Sequence, residues 1–179
     1  MLPGARAPGG REATSPHQPR QGRNNLSRAS RNSAPSKADF MIAPFRTTRR
    51  VEFHHTDAAG IVHFSQFFLY MEEVEHEFWR SRDLSVLLHD AEGVLTWPRV
   101  SASCDYRSTA RFEDLLEIEL EISRLGEKSV TFVFRFTDQG REVASGRITT
   151  VCCRIQPDGS PRSVAIPDWI REKLAAGIE

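Results

Sequence analysis

The sequence is poor in several features that mark particular classes of protein. Only three of its 179 residues are cysteine, and they lack the spacing of a metal site. Because Cys104, Cys152 and Cys153 are also odd in number, we expect no disulfide framework and a cytoplasmic location. No run approaches about 18 consecutive apolar residues, so we expect neither a transmembrane helix nor stable membrane insertion.

Residues 1–39 lack Phe, Trp, Tyr, Ile and Val altogether. They contain five Pro, five Ser and four Gly, and they offer too little apolar area to offset the entropy cost of ordering. We therefore expect a disordered tail. Its Arg and Ser content faintly suggests a transit peptide, although Pro and Gly would interrupt an amphipathic helix. A misplaced start codon is a third interpretation, with Met41 as the natural N-terminus, and the N-terminal peptide of the native protein would decide.

Charge is uneven along the chain, although the 24 basic and 24 acidic residues balance overall. The first 39 residues hold seven basic and two acidic side chains, which leaves 17 basic and 22 acidic ones for residues 40–179. We expect one folded domain over residues 40–179. Its mildly acidic character argues against a nucleic-acid partner.

Two hydrophobic periods predict the secondary structure of that domain. Apolar residues at spacings of three and four, from Phe64 to Phe78, predict a long helix over about residues 65–82. Strands are predicted over residues 46–55, 96–106, 116–122, 130–136 and 143–155, most clearly where apolar and polar residues alternate. Short turns between the later strands predict antiparallel pairing.

The apolar helix face and the apolar sheet face must bury each other. The order of elements therefore predicts an α+β fold, in which a long helix packs on a five-stranded antiparallel sheet. A bulge is expected at Gly146, where the alternation of the last strand becomes unclear. A short C-terminal helix is expected after Pro167.

The residues before the long helix carry a recognisable motif. Residues 55–64, His-Thr-Asp-Ala-Ala-Gly-Ile-Val-His-Phe, resemble the 4-hydroxybenzoyl-CoA thioesterase family of hotdog-fold acyl-CoA thioesterases. Residues 105–118 are similar to a second block of that family, and the resemblance spans roughly residues 46–156. It implies that the sheet wraps the helix and that the substrate is an acyl-CoA; no cofactor is expected. It also implies homodimers joined edge to edge, which commonly pair into homotetramers, with the substrate at a subunit boundary.

The resemblance assigns catalytic roles to three positions. Asp57 matches the catalytic carboxylate of the family, which acts as nucleophile or as general base on water. The backbone N–H of Phe64 matches the donor that polarises the thioester carbonyl, and Gly60 lets the chain turn sharply. The chemistry suits these residues, because thiolates leave readily and free N–H groups at a helix start stabilise an oxyanion. Composition alone would favour Asp57 as a helix-capping residue. However, Asp57 lies seven residues before Phe64, which is too far for a simple cap.

Substrate contacts are expected from residues around the motif. The candidates are Ile61, His63, Gln66, Arg107 and Arg111. The two arginines could hold CoA phosphates, which need cations near a wet rim. The family often has Tyr or Trp in place of His63 and Asn-Tyr in place of Gln66-Phe67, so the acyl group stays open. His63 is interpreted as lining the acyl pocket rather than as a general base.

Other chemistries fit the sequence less well. His54 and His55 would point to opposite faces of a strand, so we expect no metal site. Four glutamates of the helix are interpreted as a solvated face: Glu72, Glu73, Glu75 and Glu77. Of these, Glu73 is kept as a reserve catalytic residue. The alternative function is a non-catalytic hotdog protein that binds acyl-CoA or acyl-carrier protein, against which the intact motif argues. The His of hotdog dehydratases lies in a different sequence context.

Overall fold

The computed structural model describes residues 43–176. The tail over residues 1–39 lies outside the described residues, so its disorder stays a prediction. In chain order the elements are β1 (Phe45–Arg50), a 3-10 helix (Phe53–His55), α1 (Gln66–Ser81), β2 (Leu87–Asp90), β3 (Gly93–Thr96), β4 (Arg99–Tyr106), β5 (Leu115–Leu125), β6 (Ser129–Asp138), β7 (Arg141–Val151), β8 (Cys153–Ile155), β9 (Pro161–Ser163) and α2 (Asp168–Ala175).

The main sheet has five antiparallel strands in the order β1-β5-β6-β7-β4, and α1 packs against it. The predicted α+β fold is therefore confirmed. Tight connections join β5 to β6 and β6 to β7, as the short turns between alternating segments predicted. Strands β1 and β4 form the two edges of this sheet.

The core lies between α1 and the main sheet, because each has one apolar face. On α1, Phe67, Met71, Val74 and Phe78 are buried. The sheet residues that are buried opposite them alternate along β5 and β6: Leu116, Ile118, Leu120, Phe132, Phe134 and Phe136. Burial of each such side chain contributes roughly 1.5–3 kcal/mol. The helical period and the strand period thus select the residues that meet in the core.

The first predicted strand, over residues 46–55, is wrong in its second half. Strand β1 ends at Arg50, and the chain turns into the 3-10 helix Phe53–His55. Within this turn the Glu52 backbone N–H donates to Nδ1 of His55 at 3.0 Å. The ring therefore satisfies a backbone donor locally, and the segment does not continue as a strand.

Two other predicted strands also have different bounds. The strand predicted over residues 96–106 is divided, since β3 ends at Thr96 and β4 begins at Arg99, after Pro98. The strand predicted over residues 143–155 is interrupted at Cys152, whose N–H donates to the Lys128 carbonyl oxygen.

A second, four-stranded sheet, in the order β2-β3-β8-β9, was not predicted. Its strands are three or four residues long, too short for alternation to be visible. Side chains support it across the sheet, because Arg154 Nη1 on β8 lies 2.7 Å from Oδ1 of Asp90 on β2. Within residues 43–176, neither helix is long and apolar enough to cross a bilayer.

The bulge predicted at Gly146 is wrong. Gly146 pairs in regular register with Phe134 on one side and Cys104 on the other. A Cβ at this position would collide with the sulfur of Met71, which is fully buried on α1. The glycine is therefore explained by the close approach of the helix to the sheet.

Glu75 corrects the interpretation of the helix glutamates as a solvated face. Its side chain is 0% exposed, and it accepts hydrogen bonds from Trp79 Nε1 at 3.3 Å and Arg99 Nη2 at 3.0 Å. Burial raises the pKa of Glu75, and the nearby Arg99 acts in the opposite direction. The helical period placed Glu75 next to the apolar stripe, and only the position of β4 shows that this side is covered.

Candidate functional site

Residues 56–62 form a tight hairpin loop that carries Asp57. Its base is an isolated antiparallel bridge between Thr56 and Val62. Within the loop, the Asp57 N–H donates to the Ile61 carbonyl oxygen, and the Gly60 N–H donates back to the Asp57 carbonyl oxygen, each at 2.9 Å. Gly60 has a φ of +70°, a conformation that other residues adopt only with strain. Glycine at this position therefore allows the chain to reverse direction within the loop.

The Asp57 carboxylate is half-buried and is held through one oxygen. Its Oδ1 accepts a hydrogen bond from the Ala59 N–H at 2.8 Å, which fixes the side chain within the loop. Its Oδ2 has no hydrogen-bond partner among residues 43–176. A carboxylate held at one oxygen and open at the other can attack an electrophile or accept a proton from water.

An unpaired backbone donor lies between the loop and α1. The His63 N–H donates to the His55 carbonyl oxygen and the Gln66 N–H donates to the His63 carbonyl oxygen, each at 2.9 Å. In the described part of the chain, the Phe64 N–H between them has no acceptor. Helix α1 begins two residues later, and the side chain of its N-cap, Ser65, caps no N–H. The approach to α1 therefore offers a free donor near the positive end of the helix dipole.

Tyr106, the last residue of β4, is a candidate site residue that sequence reasoning missed. Its hydroxyl donates to the Phe64 carbonyl oxygen at 3.0 Å, and its ring centroid lies 5.4 Å from that of Phe67. Phe64 and Tyr106 are 61% and 46% exposed. The edge strand thus fixes the backbone of Phe64. One aromatic residue at a strand end gives no signal in the sequence for this contact.

The structure brings one of the two candidate arginines to the loop. Arg111 Nη1 lies 4.0 Å from the position that a Cβ on Gly60 would occupy. The Val62 N–H donates to the Ala110 carbonyl oxygen at 2.8 Å, which joins the two segments. Arg107, in contrast, has its Nε 4.0 Å from Oε1 of Glu142. Arg111 is therefore the better placed cation for a ligand at the loop.

His63 is exposed at the same end of α1. Its Nδ1 lies 2.8 Å from Oγ of Ser65, and its ring centroid lies 4.5 Å from that of Phe64. Ile61 is half-buried on the loop. Both residues lie close to the free N–H of Phe64 along the chain, so the expected contacts to an acyl group stay predictions that fit their positions.

Gln66 and Glu73 are less open to a ligand than the other candidates. Gln66 is 9% exposed at the first position of α1. Glu73 is exposed but accepts a hydrogen bond from Arg49 Nε at 2.9 Å, which ties it to β1. Among the described residues, Glu73 has no hydrogen bond or ion pair to residues 56–62, so it stays a reserve candidate.

The expected geometry of His54 and His55 is wrong, because they do not alternate along a strand. Their ring centroids lie 4.2 Å apart in the 3-10 helix. Among residues 43–176, no group of three or more His, Cys, Asp or Glu side chains is arranged to hold a metal ion. His55 instead contacts the helix, since its Nδ1 lies 2.8 Å from the Tyr70 hydroxyl.

A long helix on a five-stranded antiparallel sheet, with a loop that carries a carboxylate directly before the helix, is the architecture of a hotdog-fold protein. Residues 51–174 match the family described as the Thioesterase-like superfamily, and the chain belongs to that superfamily.

Individual relatives agree with this assignment. A protein of Aquifex aeolicus (strain VF5), named as a candidate esterase, is 32% identical and covers 73% of this chain and 98% of that protein. The 1,4-dihydroxy-2-naphthoyl-CoA hydrolase of Synechococcus elongatus is 28% identical and covers 73% and 97%. Among solved structures, the gentisyl-coenzyme A thioesterase BH1999 has a TM-score of 0.62 at 27% identity, covering 73% of this chain and all of that one. The predictions of a hotdog fold and of a thioesterase are thereby confirmed.

Proposed function

We propose that this chain hydrolyses acyl-CoA thioesters to a free carboxylic acid and CoA, with Asp57 as the catalytic carboxylate. In one route Asp57 accepts a proton from water while the water oxygen bonds to the carbonyl carbon. In the other route the carboxylate itself bonds to that carbon, and water then cleaves the mixed anhydride. In both routes the C–S bond breaks and CoA leaves as a thiolate.

One observation carries this proposal: the Asp57 carboxylate, which is open at one oxygen, lies on a closed loop, and an unpaired backbone donor directly follows that loop. The Asp57 Oδ2 and the Phe64 N–H both lack protein partners within residues 43–176. The hydrogen bond from His63 to His55 closes the loop that joins them. A preorganised oxyanion donor typically lowers the barrier by about 3–4 kcal/mol. We therefore propose these two groups as the attacker and the oxyanion donor that thioester hydrolysis needs.

We propose an aromatic acyl group as the preferred substrate. The exposed rings beside the Phe64 N–H are those of Phe64, Tyr106 and His63, and aromatic faces pack well against a planar ring. Two relatives are named for 1,4-dihydroxy-2-naphthoyl-CoA and gentisyl-CoA, whose acyl groups are aromatic. The 4-hydroxybenzoyl group of the family that the motif resembles is a smaller member of the same class. Arg111, next to Gly60, is proposed to bind a CoA phosphate.

We also propose that the chain forms a homodimer through β4, and that dimers pair into a homotetramer. Within the main sheet β4 pairs only with β7, and its Val100 is 62% exposed. A long, unpaired edge strand favours pairing with a second strand. Light scattering coupled to size exclusion should give a mass of two or four chains, and a monomer at micromolar concentration would contradict this. The three cysteines are free, which suits the proposed cytoplasmic location.

A panel of acyl-CoAs tests the proposed function. Benzoyl, hydroxybenzoyl, dihydroxynaphthoyl, short-chain and long-chain thioesters would each be added to the protein, and free thiol would be followed with a chromogenic reagent. We expect thiol release, fastest with aromatic acyl groups. Binding without turnover across the panel would favour the alternative, a non-catalytic acyl-CoA or acyl-carrier-protein binding protein.

A single-turnover experiment in ¹⁸O-labelled water tests for the nucleophilic route in which water attacks the Asp57 carbonyl carbon. If Asp57 is a general base, or if water attacks the acyl carbon of the anhydride, the first acid released carries the label from water. If Asp57 is the nucleophile and water attacks its own carbonyl carbon, the first acid released is unlabelled and the label appears in Asp57. Mass spectrometry of the acid and of the peptide that contains Asp57 distinguishes these outcomes.

A further inference from the structure

His55 and Tyr70 connect the Asp57 loop to the body of α1. The Tyr70 hydroxyl lies 2.8 Å from His55 Nδ1, and the two rings meet edge to face with centroids 5.3 Å apart. Tyr70 is 1% exposed, so its hydroxyl is shielded from water. Among residues 43–176, this is the only side-chain hydrogen bond between residues 55–63 and α1.

The hydrogen bonds of His55 define its protonation state. Its Nδ1 also accepts the backbone N–H of Glu52 at 3.0 Å, and a backbone N–H can only donate. Nδ1 therefore carries no proton, and the Tyr70 hydroxyl is the donor toward it. Burial raises the pKa of that hydroxyl, and Glu73 and Glu52 act in the same direction, so it keeps its proton. His55 is consequently the neutral tautomer with its proton on Nε2.

The backbone of His55 is also the base of the loop. Its carbonyl oxygen accepts the His63 N–H at 2.9 Å, directly before Phe64. Asp57 follows His55 by two residues on the other side of the same loop. His55 therefore lies where the two arms of the loop meet, and its ring is hydrogen-bonded to Tyr70, a buried residue of α1.

We propose that His55 and Tyr70 are positioning residues, which hold the Asp57 carboxylate in register with the Phe64 N–H. This inference rests on the proposed function of that pair. Neither side chain is needed as a contact to the substrate. A displacement of about 1 Å in a catalytic group can cost roughly 100-fold in rate, so a hydrogen bond that sets the loop against the helix can act on kcat.

The arrangement requires neutral His55, which makes it sensitive to acid. Protonation would place an N–H on Nδ1 facing the Glu52 N–H, so the bond from Glu52 breaks, and the Tyr70 hydroxyl must change from donor to acceptor. Burial lowers the pKa of His55 and the neighbouring His54 lowers it further, while Glu52 and Glu73 on α1 act against them. Because the folded-state pKa lies below the usual value of about 6.5, both hydrogen bonds at Nδ1 are intact above that pH, and the bond from Glu52 is lost as the pH falls through the lowered value.

Tyr70→Phe tests the anchor, because it removes the hydroxyl and keeps the buried ring. We expect kcat to fall about 10- to 100-fold with KM within about twofold, as for a misplaced catalytic group. The matched control is Thr131→Val, which removes the hydrogen bond between Thr131 and Thr149 near the other end of β6 and should leave kcat unchanged. A Tyr70→Phe protein that loses thermal stability as the control does but keeps its kcat would show a structural role only and would overturn the inference.

Two substitutions of His55 add a test that a purely structural role would not pass. His55→Asn keeps an acceptor where Nδ1 lies but cannot titrate near neutrality, so it should keep most of kcat at pH 8. Its fall in kcat at acid pH should begin at a lower pH than in the unchanged protein. His55→Phe removes the acceptor and should lose kcat as Tyr70→Phe does. If kcat of His55→Asn falls over the same acid pH range as kcat of the unchanged protein, the inference is contradicted. This test holds even if Tyr70→Phe does not fold.

Asp57→Asn, measured in the same series, separates this inference from the function on which it rests. If Asp57→Asn is inactive and Tyr70→Phe keeps full kcat, only the positioning role fails. If Asp57→Asn keeps turnover, the proposed role of Asp57 fails, and the positioning role fails with it.

Discussion

The two ends of α1 differ in how far their polar groups and aromatic rings are exposed to solvent. At the loop end (residues 51–64 and 106–114), Phe53 and Phe64 are 76% and 61% exposed, and the Asp57 carboxylate is open at one oxygen. At the far end (residues 75–79 and 97–99), Trp79 is fully buried and Glu75 is shielded from water with Arg99 as its partner. Both ends belong to the same two layers of one core.

This difference separates stability from function along one helix. An exposed phenylalanine lacks the roughly 1.5–3 kcal/mol of stabilisation that burial would give. At the loop end, part of this stabilisation would be gained when a ligand ring covers the exposed side chain. The far end buries a carboxylate, whose desolvation costs several kcal/mol unless a partner and hydrogen bonds compensate. Substitutions at the loop end should therefore change catalysis, and those at the far end should change the free energy of unfolding.

The largest effect is expected from Asp57→Asn. The amide oxygen can still accept the Ala59 N–H, so the loop and the free energy of unfolding should change little. Without the carboxylate, kcat/KM should fall by about 1000-fold, within the usual range for loss of a general base. Steady-state thiol release measures this, with Asp158→Asn as the control, because Asp158 also caps a backbone N–H in an exposed turn. Turnover close to that of the unchanged protein would contradict the role of Asp57 and promote Glu73.

Arg99→Ala should cause the largest loss of stability. It leaves the Glu75 carboxylate buried without its cation, which typically costs about 3–5 kcal/mol. Arg46→Ala is the matched control, since the Arg46–Glu119 pair is largely exposed and such pairs contribute about 1 kcal/mol or less. Urea unfolding followed by circular dichroism measures both. If both variants lose the same free energy of unfolding, the buried ion pair at the far end contributes no more than an exposed surface pair.

Gly146→Ala should destabilise the middle of the core by about 1–3 kcal/mol, the usual cost of overpacking. The added Cβ collides with the Met71 sulfur, which is fully buried and must shift within a close-packed core. The double variant Met71→Ala, Gly146→Ala should show favourable coupling between the two changes in a double-mutant cycle. Additive effects would mean that the helix and sheet do not meet closely here.

Arg111→Ala should raise KM for acyl-CoA about five- to tenfold and leave kcat nearly unchanged, since a phosphate contact contributes to binding in the ground state and the transition state alike. Arg107→Ala should have a smaller effect, because Glu142 already lies near that guanidinium. Steady-state kinetics with an acyl-CoA and with the same acyl group on a phosphate-free pantetheine distinguishes the cause. A KM change of equal size for both substrates would argue against a phosphate contact.

Glu75→Gln should have the smallest effect and one that depends on pH. Burial raises the pKa of Glu75, so the folded protein binds a proton more tightly than the unfolded chain. The unchanged protein therefore loses stability as the pH rises from the ordinary carboxyl value of 4.5 through the raised value, whereas the neutral amide of the variant does not titrate. We expect the melting temperature of the variant, relative to the unchanged protein, to rise between about pH 4 and pH 8. A difference that is independent of pH would contradict the raised pKa.

Much of the fold could be predicted because its signals are local. The stripe ending at Phe78 and the alternation around Ile118 and Phe134 each repeat often enough to identify α1, β5 and β6. The short strands β2, β3, β8 and β9 could not be predicted, since three or four residues cannot show a period. The 3-10 helix replaced the end of a predicted strand because one ring, that of His55, satisfies the Glu52 N–H.

The site was predictable only in part for a similar reason. The motif singled out Asp57, Gly60 and Phe64, which lie on one loop or directly after it because they are close in the chain. Tyr106 and Tyr70 could not be found in this way, since their partners Phe64 and His55 lie 42 and 15 residues away. Their roles depend on which elements the fold brings together.

The sequence by itself determined the two layers, the long helix and the carboxylate loop before it, because periodicity and short-range turn chemistry are local properties of the chain. Only the tertiary structure decided which of the helix glutamates is buried, why position 146 must be glycine, and what holds the loop against the helix. Those features arise from contacts between segments that are distant in sequence. For Asp57 this means that the chain places the carboxylate on its loop, whereas the proposed anchor of His55 and Tyr70 connects that loop to α1 and Tyr106 binds the Phe64 carbonyl oxygen from β4.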